Sequence, residues 1–152
     1  MTSIFMQKQE IIWDYVQKPK MMEYICSPIQ AFKPVSPGTF PEQWTPGKYE
    51  INLISFGINI GYHVVQIEFP KNDDEITNVR IVRDNGYGKL VKKWDHWIFV
   101  EKIDEIKTKY TDRVDIDAGI LTPFIWFYAL ILYTWRQSKW KNQIQRNFVD
   151  IK

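Results

Sequence analysis

The chain has two histidines, His63 and His96, and one cysteine, Cys26, so few groups could move protons or attack carbon near neutral pH. His96 stands in an alternating run, Leu90, Lys92, Trp94, His96, Ile98 and Val100, and Asp112 in another, Tyr110, Asp112, Val114 and Ile116. Alternate side chains of a strand share a face, so each run predicts a mostly apolar, inward surface that carries an ionisable group. If the turn between them sets Glu101 near Thr108, the register brings His96 close to Asp112, because cross-strand neighbours lie about 5 Å apart at Cβ. Arg83, on a face with Val79 and Ile81 in the preceding strand, is expected to point inward and reach the same region.

An Arg–His–Asp cluster on an apolar wall is costly unless its members satisfy one another. Three roles are open to it: a paired network that fixes strand register, a set of polar groups that orients a ligand, or proton transfer by His96 and Asp112. No nucleophile or metal partner accompanies the pair. There is no Gly-rich phosphate loop, nucleophile elbow or convincing carboxylate pair, and no Cys/His set has zinc spacing, so neither metal nor cofactor is expected. His63, alone on a face with Val65, Ile67 and Phe69, reads as a satisfied core residue. Lys93, Asp95, Trp97 and Glu101 read as a solvated outer face, as do Asp115 and Asp117.

The elements that must position these groups follow from periodicity and punctuation. Residues 3–6 suggest a short first strand. Helical spacing of Ile11, Ile12, Tyr15 and Val16 predicts a helix over 8–17, limited by Pro19, with a second short helix at about 20–26. Five prolines between Pro28 and Pro46 exclude a central strand and predict an irregular segment, a rim loop or a lid, packed by Phe32, Phe40 and Trp44. Strands follow over 48–56, 62–69, 76–84, 89–101 and 108–117. Turns are expected at Lys71–Glu75, at Asn85-Gly86-Tyr87-Gly88 and at 102–107, which gives an antiparallel meander. Beyond Gly119 a helix is expected over 121–146, with Thr122 as its cap and Pro123 in its first turn.

At 152 residues, 45% apolar and 25% charged, the chain is expected to form one folded domain over 1–152. A net charge of +2, with most Lys and Arg interspersed with Asp and Glu, argues against nucleic acid as partner. The lone cysteine and the absence of a basic-then-apolar leader make the cytoplasm the expected compartment. Aromatic residues reach 16%, including seven Trp, and could fill a core or line a pocket for a greasy molecule. Residues 120–135 carry no charge, but they fall short of the roughly 20 residues of a membrane span. A helix apolar all round is better buried on more than one side, and its basic continuation (Arg136, Lys139, Lys141, Arg146) also suits peripheral contact with a membrane surface.

Taken together, Glu10-Ile11-Ile12-Trp13-Asp14-Tyr15, Gly47, Arg83-Asp84, Trp94-Asp95-His96, Thr108 with Tyr110-Thr111-Asp112-Arg113-Val114, and Gly119 before the last helix resemble the START-like ligand-binding superfamily, also called SRPBCC or polyketide cyclase/dehydrase-like. The resemblance covers nearly the whole chain. It implies an α+β helix-grip fold: a curved antiparallel sheet wrapped around a long C-terminal helix, with a deep cavity between them and short N-terminal helices. Members bind lipids, polyketides, quinones or similar molecules, and a minority are enzymes. The expectation is therefore binding or carriage of a small hydrophobic or amphipathic molecule. Arg83, Trp94, His96, Tyr110, Asp112, Phe127, Tyr128, Ile131 and Trp135 are the candidate ligand-binding residues. The alternative is a cyclase/dehydratase-type enzyme that uses His96 and Asp112 for proton transfer.

Overall fold

The computed structural model describes residues 1–71 and 78–151. One antiparallel sheet runs in the order β1-β7-β6-β5-β4-β3-β2 and is closed over by a long C-terminal helix. The strands are β1 (Thr2–Phe5), β2 (Gln30–Ser36), β3 (Gly47–Ser55), β4 (Ile58–Glu68), β5 (Val79–Gly88), β6 (Lys93–Lys102) and β7 (Thr108–Asp117); the helices are α1 (Gln9–Val16), α2 (Pro19–Cys26) and α3 (Thr122–Gln145). This is the helix-grip α+β architecture expected from the sequence.

Three local expectations are corrected. Residues 30–36 form a strand in spite of Pro34, because β2 is an edge, where alternate N–H groups face away from the ladder. The register slips between Pro34 and Ser36, which is how the edge accommodates the ring. Second, Asn85-Gly86-Tyr87-Gly88 is no turn; β5 runs through it, and the chain reverses over residues 89–92 instead. The glycines serve close approach rather than turn geometry. A Cβ on Gly88 would stand 2.7 Å from His63 Nδ1 and from the Tyr62 carbonyl, and one on Gly86 would stand 2.8 Å from the Val64 carbonyl. Third, Thr122 does not cap α3. Its hydroxyl accepts from the Ala118 N–H and donates to the Gly119 carbonyl, which ties down the 3-10 turn Gly119–Leu121. The turn expected over 71–75 and the start of the strand expected from 76 fall on residues 72–77, outside the described residues.

The aromatic residues do both jobs the sequence left open. Phe5, Tyr110 and Trp140 stack within 5.1–5.8 Å between centroids, and Tyr15 lies on Phe148 at 3.8 Å, so one end of the sheet–helix sandwich is solid. Tyr15, Tyr110 and Trp140 turn their other sides to open space, which Trp44, Trp94, Tyr128 and Tyr133 also border. α1 is fixed across the sheet by Gln9, whose buried amide donates to the Asn78 and Val100 carbonyls.

Candidate functional site

Between the concave face of the sheet and α3 lies a cavity of about 310 Å³. That is at the small end of ligand pockets. Its wall is built from alternate residues of β3 to β6 (Leu53, Val65, Val82 and Ile98 among them), from α2, and from one face of α3. Tyr62, Leu90 and Phe124 border it and are also exposed, and they mark its opening.

Of the residues picked from the sequence, Trp94, His96, Tyr110 and Tyr128 line this cavity. The Tyr128 hydroxyl donates to Gln30 Oε1 and receives Ser55 Oγ, so it closes a small polar belt near β2 and β3. Asp112 does not reach the cavity. It lies behind His96, 3% exposed, and accepts from three donors: His96 Nε2 at 2.8 Å, Gln137 Nε2 at 3.1 Å and the Tyr110 hydroxyl at 3.2 Å. Burial pushes its carboxyl up, but the His96 hydrogen bond and the Arg136 charge outweigh this and hold it below the usual carboxylate range. Burial lowers His96 in turn, so the imidazole is neutral near neutral pH and its Nε2 carries the proton donated to the Asp112 carboxylate.

Besides Asp112, four further picks do not line this cavity. Arg83 points to the convex face, because the inward residues of β5 are Val82 and Asp84. There it forks onto Asp95 with bonds of 2.8 and 3.0 Å, reaches Glu68 at 3.1 Å and lies over the Trp97 ring. Asp95, expected on a solvated face, is 5% exposed beneath this cluster. Phe127, Ile131 and Trp135 share a face of α3, as their spacing demanded, but it is the outer one; they are 60%, 42% and 36% exposed. The helix is uncharged all round over this stretch, so no polar face marks which side looks inward.

Sequence reasoning missed several polar lining residues, among them Arg136, Asp84 and His63. Arg136 belongs to the inward row Tyr128, Leu132, Arg136 and Trp140, whose four-residue spacing was the signal that could have found it. Asp84 follows Val82 at strand spacing. Its Oδ1 accepts the Gln66 N–H, and burial raises its carboxyl from 3.8 to about 7. His63 lines the cavity beside it, lowered from 6.5 to about 4 by burial, and is thus a neutral ring, not merely core packing. Among the described residues no group of His, Cys, Asp and Glu is arranged to hold a metal ion, and no helix is long and apolar enough to cross a membrane.

Comparison with known structures agrees with this architecture. The chain is similar over 96% of its length to a START superfamily protein from Mycobacterium smegmatis (TM-score 0.60, 10% identity, 95% of that chain). It is similar over 95% of its length to a conserved protein from Geobacillus kaustophilus (0.55, 16%, 93%). Over 97% it is similar to the Zhui aromatase/cyclase from Streptomyces sp. R1128 (0.51, 9%, 90%). No protein-family model and no curated protein matches the sequence. At these identities the likeness defines the fold, which is START-like, and leaves the activity to be argued from the site.

Proposed function

We propose that the protein binds and carries a small hydrophobic or amphipathic molecule in the cavity between sheet and α3. The observation that carries this reading is the cavity itself: about 310 Å³ of space in an otherwise stacked aromatic core, with a mostly apolar wall. Filling it removes apolar surface from water at about 25 cal/mol per Å², against the cost of association. The fold shared with a START superfamily protein and an aromatase/cyclase supports the same reading. A titration with N-phenylnaphthylamine, which fluoresces in apolar surroundings, tests it. Ile98→Trp, which fills the cavity from β6, should weaken the probe about tenfold or more. Unchanged affinity would put the probe elsewhere and count against the cavity.

A second reading, cyclase/dehydratase-type proton transfer, is favoured by one observation: His96 is a neutral imidazole on the cavity wall, held by an ionised Asp112. In it Asp112 orients His96 rather than meeting the substrate. Incubating ligand recovered from the host with wild type and His96→Asn decides it. A mass change with wild type only supports an enzyme, and an unchanged ligand supports a carrier.

We further propose that the cavity is loaded at a lipid surface. Ile120 and Phe127 are 92% and 60% exposed on the outer side of the Gly119–Leu121 turn and α3, Phe124 at the cavity mouth is 74% exposed, and Phe56 and Ile58 at the β3–β4 turn are 65% and 68% exposed. An apolar surface of this kind next to a cavity opening suits insertion into a headgroup layer.

A further inference from the structure

The cavity contains a cation that the fold does not fully satisfy. Arg136 is 7% exposed, on the third turn from the C-terminal end of α3, and it lines the cavity. Its side chain makes no hydrogen bond to any described residue. Nε is buried without a partner, and Nη2 stands 3.9 Å from Asp112 Oδ1, outside hydrogen-bond reach. Its other contact is the Tyr133 ring, 4.8 Å from Cζ, and the Tyr133 hydroxyl is itself buried without a partner. A guanidinium offers five donors, and burying it with almost none engaged is costly.

Asp112 is the nearest acid and balances the Arg136 charge across 3.9 Å, but it takes none of the guanidinium's hydrogen bonds. Its two carboxylate oxygens already receive His96 Nε2, the Tyr110 hydroxyl and Gln137 Nε2. Asp84, the acid that lines the wall, is committed to the Gln66 N–H, and burial raises its carboxyl to about 7, so it is mostly protonated below that. A water molecule could take up some Arg136 donors, but as a neutral acceptor it bonds a guanidinium more weakly than an anion does. An anionic group would do both, and the water-poor surroundings would make the pairing stronger than at a surface.

We propose that the molecule held in this cavity is an amphipathic acid, whose carboxylate or equivalent anionic group pairs with the Arg136 guanidinium while its apolar body fills the space toward Ile98, Val82 and Tyr128. This rests on the carrier reading and narrows its ligand to a chemical class. Arg136 is then the residue that decides between an acid and the corresponding alcohol, because an alcohol of equal chain length buries the same apolar area but cannot give the guanidinium donors a charged acceptor.

The test displaces N-phenylnaphthylamine from the full chain near neutral pH with decanoate and, separately, decanol. The inference predicts that wild type favours decanoate by about tenfold or more, and that Arg136→Met brings the ratio close to one, each ratio being taken within one protein so that a change in probe affinity cancels. Equal displacement in wild type overturns the inference and leaves the carrier reading standing, as does a preference that survives in Arg136→Met. If the probe, decanoate and decanol all fail to bind, the carrier reading fails and the inference with it. Should Arg136→Met lose its cooperative melting transition, the wild-type ratio of acid to alcohol decides alone.

Discussion

His96 Nε2 reaches Asp112 Oδ1 at 2.8 Å diagonally across the ladder: His96 is paired with Val114, and Asp112 with Ile98. The contact joins a cavity-lining side chain to one sealed behind it. Asp112 therefore acts on the cavity through the lining side chains it holds, His96 and Tyr110 by hydrogen bonds and Arg136 by charge, and on the fold through three buried donors at once.

Asp112→Asn should destabilise the protein by about 3 kcal/mol, since it leaves His96, Tyr110 and Gln137 to share a weaker acceptor and removes the charge nearest Arg136. The folded carboxyl lies below its ordinary value, so its contribution is present above the unfolded value of about 4 and is lost as pH falls through the folded one. Chemical denaturation across the acid range should show wild type losing stability faster than the variant. Parallel curves would mean that Asp112 is not held ionised.

His63 and Asp84 pull the pH dependence in opposite directions. Between about 4 and about 7 the unfolded chain has released the Asp84 proton while the native state keeps it, so this residue lowers stability as pH rises through that window. Below about 6.5 the unfolded chain protonates His63 and the native state does so only near 4, so this residue lowers stability as pH falls. Asp84→Asn keeps an acceptor for the Gln66 N–H and removes the first effect. Relative to wild type it should gain about 2 kcal/mol between mild acid and mild alkali, measured by urea denaturation. A flat difference would show that Asp84 is ordinarily solvated.

Gly88→Ala should cost about 2 kcal/mol or more, because its Cβ would stand 2.7 Å from both the His63 ring and the Tyr62 carbonyl. His63→Ala should rescue only part of this, since the carbonyl clash is with backbone. Full rescue in a thermal-melt double-mutant cycle would place the whole clash on the ring.

How much of this was legible in the sequence depended on whether a residue's neighbours broke the symmetry between faces. On β6 and β7 the alternation of apolar and polar residues is clean, and His96 and Asp112 were brought together by it, although the register is one residue from the pairing expected at Glu101, which faces Lys109. On β5 both parities carry aliphatic residues, so Arg83 was given the inward face that belongs to Val82 and Asp84. On α3 the lack of any charge from Phe124 to Trp135 hid which side faces the sheet. The same uniformity left Arg136, at the head of the basic half, looking like a surface residue. Asn85-Gly86 reads as a turn because the sequence cannot show that the His63 ring presses on that strand.

Arg83→Met tests the correction on β5. It should leave probe affinity unchanged and destabilise by about 2 kcal/mol, because Asp95 would remain buried without its forked partner. Weakened binding without loss of stability would return Arg83 to the cavity.

Contact with a lipid surface is checked by flotation. Wild type should rise with anionic vesicles at low salt, and Phe124→Ser combined with Phe127→Ser should stay behind without loss of fold. Wild type that does not float removes the lipid surface from the account and leaves the cavity.

The central claim, a cavity that carries a small molecule, is tested most directly by native mass spectrometry of the protein purified from its own host, set against its denatured mass. The account predicts a non-covalent adduct that is lost on denaturation and greatly reduced in Ile98→Trp. An adduct-free native mass, together with failure to take up N-phenylnaphthylamine, would contradict it.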